Sequence, residues 1–206
     1  MLKLYFAPGT CALASHIALA EAGAPYTIEK VDFKTNQQNS PEYLKINPKG
    51  RVPTLVTDRG ILTETPAMLA YIAQSWPQAK LAPLDDAFEF GRLQAFNSYL
   101  CSTVHVNHAH KMRGARWATQ ETSFADMKAM IPKTMGASFI LIERDMLKGP
   151  WVMGESYTVC DAYLYTLTLW LDGDGVDLAT LPKVKAHRAA MEQRPAVQKV
   201  LAEQKA

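Results

Sequence analysis

Nowhere in the 206-residue chain do apolar residues run together for the ~20 positions that a helix needs to cross a bilayer. An excess of one charge is also missing: 22 Lys and Arg stand against 20 Asp and Glu, a formal net charge of +2. So mild a balance argues against nucleic acid or a membrane surface as a partner. The densest basic group, Lys111, Arg113 and Arg116, suits a solvated helix face. Cysteine is scarce. Cys11, Cys101 and Cys160 are odd in number and lack metal-ligand spacing, which fits reduced thiols and not a disulfide framework. The amino terminus, MLKLYFAPGTC, lacks the apolar stretch of a signal peptide, so cytoplasmic residence is expected. What is present, 48% hydrophobic and 20% charged residues, is the make-up of a globular protein with a proper core.

The first third of the chain changes period quickly. Leu2 to Phe6 reads as a buried strand, Ala7-Pro8-Gly9-Thr10 as a turn, and Leu13, Ile17 and Ala20 as the apolar stripe of a helix ended by Gly23 and Pro25. Tyr26 to Val31 alternates like a strand, which makes a strand–helix–strand unit. Residues 53–58 and 60–63 suggest a hairpin, and Thr65 an N-cap with Pro66 at the first helical position. Proline-bracketed residues 77–85 read as a linker between an α/β domain over 1–76 and an all-helical domain over 86–206. In that second domain Leu93, Phe96, Leu100 and Val104 form one stripe, and Met127, Met130, Ile131, Met135, Phe139 and Ile142 another, with Pro132 expected to bend its helix. Ser123 to Asp126 and Thr158 to Asp161 both match the capping pattern of a hydroxyl followed by an acid. The second precedes Ala162 to Leu171, apolar on every side and so expected at the domain centre.

Three places carry candidate chemistry. Cys11 follows the turn at the start of the first helix, where free N–H groups and the helix dipole favour a thiolate; a small residue packing the helix start fits the position nearly as well. Val52-Pro53 opens a strand, and a cis peptide there would turn the Val52 backbone outward to pair with an extended peptide; an edge-strand proline is the plainer reading. Glu64 and Thr65 bring a carboxylate and a helix N-terminus together, suited to the ammonium and carboxylate of an α-amino acid; a helix cap preceded by a solvated glutamate fits equally well. A thiolate position, a backbone edge and an amino-acid clamp are together what γ-Glu-Cys-Gly requires.

The segments LYFAPGTCALASHIALAEAG, INPKGRVPTL, LTETPAMLAYIA and YTVCDAYLYTLTLW, with the late QRPAV, resemble in that order the cytosolic glutathione transferases, above all the bacterial beta class. The resemblance implies a thioredoxin-like α/β domain followed by an all-α domain, a homodimer, and glutathione as cosubstrate with no permanently bound cofactor or metal. It assigns Cys11 to the glutathione sulfur, Val52 and cis-Pro53 to backbone pairing, and Glu64 and Thr65 to the γ-glutamyl end. Ser102, Thr103, Val104 and His105 fall where a helix reaches the site, with His105 and Cys11 as the catalytic pair. Asn36 stands where a lysine often holds the glycine carboxylate, and Val106 where a basic residue is common.

Around these, Thr10, His108, Arg113, Trp117 and Trp170 are candidates for a second, apolar pocket, and Thr10 is near enough to donate to the sulfur. A metal held by His105, His108 and His110 is disfavoured, because His110 is rotated off the face the other two share. Tyr5, in the first strand, reads as a packed aromatic, and Cys101 and Cys160 as packing residues. The expected activity is conjugation of the glutathione thiolate to small, mostly apolar electrophiles. Thiol–disulfide exchange through Cys11 is the near alternative, and a non-catalytic binding or regulatory protein the more distant one.

Overall fold

The computed structural model describes residues 1–205. Strands β1 (Leu2–Phe6), β2 (Tyr26–Lys30), β3 (Thr54–Thr57) and β4 (Gly60–Thr63) form one sheet in the order β2-β1-β3-β4. β1 and β2 are parallel because helix α1 (Ala12–Glu21) carries the chain back across the sheet. β3 pairs antiparallel with both β1 and β4. Alternation along β1 sends Leu2 and Leu4 into the main core and Tyr5 into a smaller one beneath helix α2 (Pro41–Ile46). Tyr5 meets Tyr43 of α2 edge-on there, with ring centres 5.7 Å apart. Helix α3 (Thr65–Ser75) completes the thioredoxin-like half.

The remaining helices are α4 (Ala87–Tyr99), α5 (His105–Arg113), α6 (Glu121–Leu141), α7 (Val159–Thr168), α8 (Pro182–Glu192) and α9 (Pro195–Glu203). All ten residues of α7 are buried, as its unbroken apolar sequence predicts. The capping box at its start forms. Asp161 Oδ2 accepts from the Thr158 backbone N–H at 2.7 Å and its hydroxyl at 3.2 Å, while Oδ1 faces Val152 N at 2.8 Å and His187 Nε2 at 3.0 Å. The cap expected at Ser123 does not form. α6 begins earlier, at Glu121, after extended Gln120, and in its first turn the Phe124 ring seats on Gly114, where even a Cβ would come within 2.7 Å of the ring.

One apolar core runs through both halves, joining Leu4, Leu55 and Ile72 to Leu93, Leu100 and Leu164. α1 is the shared wall: its residues from Ala12 to Leu19 are all buried, and it packs against α3, α7 and α9. Burying both faces of α1 leaves its N-terminal end, with Cys11, at the seam between sheet and helices.

Candidate functional site

At that seam a cavity of about 710 Å³ opens, within the size range of small-ligand sites. The β1–α1 turn forms one end. Thr10 donates its hydroxyl to Ala7 O at 2.6 Å and receives Ala12 N–H at 3.4 Å, so its proton is committed to the turn. Cys11 has helical backbone angles and caps α1, and its thiol lies 3.6 Å from Val52 O. The position predicts an acidic thiol, but the structure reverses this. Burial outweighs the helix start and pushes the Cys11 thiol up to about 11, against a lesser lowering by the Thr65 hydroxyl. Cys11 is therefore a protonated donor at neutral pH.

The Val52–Pro53 peptide is cis, and the Val52 N–H has no partner among the described residues. Tyr43 and Asn47 hold this loop from beneath, at 2.7 and 2.8 Å from Arg51 O. Next to it the chain turns from β4 into α3 through Glu64, whose φ of 72° is a left-handed conformation costing about 1–3 kcal/mol in a residue with a side chain. Glu64, not Thr65, is thus the cap residue. Thr65 is the first residue of the helix, and its buried hydroxyl turns to Cys11 instead of capping. The backbone N–H groups of Thr65 and Ala67 stand open in that first turn. The Glu64 carboxylate meets Lys49 Nζ at 2.5 Å.

The opposite wall is helical. A single π turn, Leu100–Val104, joins α4 to α5, and cleft-facing positions recur four apart at Cys101, His105 and Ala109. His105 packs on Trp170, ring centres 5.0 Å apart, and His108 stacks on the same indole at 4.1 Å. Burial lowers the His105 pKa to about 4, helped by His108, Arg116 and Arg51, so its ring is neutral at pH 7. His108 Nδ1 lies 2.6 Å from buried Asp174, which also receives Lys111 at 3.0 Å. Trp170 ties the walls together through a 3.0 Å hydrogen bond from Nε1 to Gly9 O.

Over 203 residues, 97% of either chain, the sequence is 32% identical to glutathione S-transferase GstA of Escherichia coli O157:H7. The chain belongs to the glutathione S-transferase family. Family models for the N-terminal and C-terminal domains of glutathione S-transferase match residues 1–74 and 106–204 of the transferase. A glutathione transferase homologue from Sulfitobacter, solved with bound glutathione, is 48% identical and superposes with a TM-score of 0.96 over 98% of both chains. The bacterial beta class enzyme of Sphingomonas chungbukensis is 32% identical, with a TM-score of 0.86 over 98% of both.

Most of the residues singled out in the transferase sequence line the cavity. Cys11, Val52, Pro53, Glu64, Thr65 and His105 meet there, and Thr10, His108, Arg113, Trp117 and Trp170 border the same space. Four do not. Ser102, Thr103 and Val104 occupy the π turn on helix faces that point elsewhere: Ser102 is exposed, Thr103 half-buried, and Val104 is in the core. Asn36 sits in a left-handed turn (φ 59°) and spends its side-chain oxygen on Gln38 and Asn39, at 2.8 and 2.7 Å. Gln38 and Phe33 reach the cleft instead. His110 packs on Trp117 at 4.4 Å, away from His105 and His108. Arg116, read from the sequence as part of a solvated helix face, and Cys101, read as a packing residue, also line the cavity, as do Arg51 and Tyr163, which were given no role. The four-residue spacing from Cys101 to His105 is the signal that would have found Cys101.

Proposed function

We propose that the transferase binds glutathione in this cleft and directs its thiolate at a small electrophile. The observation that carries the reading is the meeting of Cys11, the free Val52 backbone and the Glu64–Thr65 turn in one cavity. The γ-glutamyl carboxylate takes the open N–H groups of Thr65 and Ala67, where the helix dipole favours an anion. Its ammonium takes Glu64 in place of Lys49, a small exchange because an exposed ion pair is worth only about 0–1 kcal/mol. The cysteinyl backbone pairs with Val52 and leaves the sulfur beside the Cys11 S–H. In conjugation that sulfur gives up its proton to solvent and its electron pair forms an S–C bond, while the leaving group departs with the pair of the bond that breaks.

The raised Cys11 pKa favours this chemistry over exchange. In exchange a Cys11 thiolate must attack a glutathione mixed disulfide, RS–SG, expel RS⁻, and be freed by a second glutathione as GSSG forms. A thiol near 11 supplies little thiolate at neutral pH. A homodimer and cytoplasmic residence are part of the same proposal. Exposed Phe88 and Leu84 offer apolar surface to a second copy, and among the described residues no helix is long and apolar enough to cross a membrane.

The test is turnover of 1-chloro-2,4-dinitrobenzene with glutathione by wild type and Cys11→Ala, with glutathione affinity measured by calorimetry. Conjugation that partly survives in the variant supports the proposal. Complete loss with glutathione still bound would move Cys11 covalent chemistry to the front. An inactive wild type that binds glutathione would favour a binding protein.

A further inference from the structure

The cleft carries more positive charge than its acids can answer. Among the described residues Glu64 is the one acid that lines it, and Lys49 already pairs with it. His108 and Lys111 are satisfied by Asp174. Arg51, Arg113 and Arg116 also line the cavity, and among the described residues none of the three has an acidic partner. They come from both walls. Arg51 precedes the Val52 edge, while Arg113 ends α5 and Arg116 closes the 3₁₀ turn Gly114–Arg116. Arg113 reaches across the seam, its guanidinium carbon 5.9 Å from the centre of the Phe33 ring. Arg116 feels the other two: burial, then Arg51 and Arg113, lowers its pKa. Like charges gathered without a counterion at a cavity wall oppose folding, and a bound anion relieves them. Exposed Met112 and Trp117 lie beside them, so the rim pairs apolar surface with guanidinium forks suited to a carboxylate.

Resting on the reading of the cleft as a glutathione site, we propose that Arg51, Arg113 and Arg116 form a carboxylate clamp across the two walls. Two molecules could bring that carboxylate: glutathione, through its glycine end, or the second substrate, as an acid group on an apolar body.

Calorimetry on wild type and Arg113→Gln/Arg116→Gln separates them with two ligand pairs. One is glutathione against its glycine ethyl ester; the other is 3,5-dinitrobenzoate against its methyl ester, which lack a leaving group and need no turnover. A preference for the free acid in at least one pair, falling about tenfold or more in the double variant, is expected from the loss of charge-assisted hydrogen bonds. The pair that responds names the source. Arg113→Lys/Arg116→Lys should keep part of the preference, since charge remains without the fork. If wild type prefers neither acid, or the double variant keeps the whole preference, the clamp is wrong. If wild type fails to bind glutathione yet still prefers the benzoate, the proposed function fails and the clamp stands.

Discussion

On the sheet side of the cleft, the site residues arrive in three short stretches, Thr10–Cys11, Arg51–Pro53 and Thr63–Thr65, and much of what they present is backbone. On the helical side, Cys101, His105, Arg113, Arg116, Tyr163 and Trp170 come from α5, the turns flanking it, α7 and the segment after α7, and they present side chains. The first wall is set by local turn chemistry. The second exists only once α7 is buried and α5 is laid against it. Binding of a constant tripeptide suits the first kind of wall, and variation in a second substrate suits the second, because side chains change by substitution while a cis peptide or a helix end does not.

The comparison is broken most severely at Asp161. Its carboxylate satisfies Val152, Thr158 and His187 in a site closed to water, so Asp161→Ala leaves several buried groups without partners. A loss of about 3–5 kcal/mol is expected, read as a lower urea midpoint with the helical half failing first by circular dichroism. Next comes Glu64→Gln, which touches only the sheet wall. The KM for glutathione should rise about tenfold, with little change in affinity for the benzoate probes; equal losses in both would show that the walls are not separable. Trp170→Phe tests the tie between them. Losing the bond to Gly9 O should cost about 1 kcal/mol in urea denaturation, while a fully unchanged midpoint would mean that the walls are held by the shared core alone.

A further difference between the walls is read through pH. His105 titrates near 4 in the folded chain and near the ordinary histidine value of about 6.5 when unfolded. Over that window the unfolded chain binds more protons, so His105 makes stability fall as pH drops from about 6.5 to 4. His105→Gln should flatten that part of the Tm–pH curve relative to wild type. Parallel curves would mean that the ring stays solvated.

Much of the sheet half was legible because its signals are local. The period change from Leu2–Phe6 to Leu13–Ile17, the Gly23 stop and the Val52-Pro53 and Glu64-Thr65 pairs each act within a few residues. The misreadings there were one-residue matters. Thr65 and Pro66 look like cap and first helical residue by type, yet the left-handed backbone of Glu64 takes the cap position and frees the Thr65 hydroxyl for Cys11. Asn36 has a suitable place in the chain order, but its own turn consumes its side chain. On the helical side Ser102 to Val104 were adjacent to the correct helix face without being on it: Cys101, His105, His108, Ala109 and Met112 look into the cleft, and residues 102–104 lie on the turn's other sides.

By itself, the sequence determined the order of elements, the wholly buried α7 and its capping box, and the family to which the chain belongs. The elements follow from periodicity and from short-range hydrogen-bonding chemistry that any segment carries with it, and the family from the resemblance of whole segments in order. Only the tertiary structure decided that Cys11 is a protonated donor and His105 a neutral ring, and that three arginines share one cleft with no acidic partner among the described residues. Each of these depends on how much water and which charges surround a group, and those neighbours lie far apart in the chain: Cys11 beside Val52, 41 residues away, and Trp170 with Gly9, 161 residues away, with Arg51 near Arg116 across the seam.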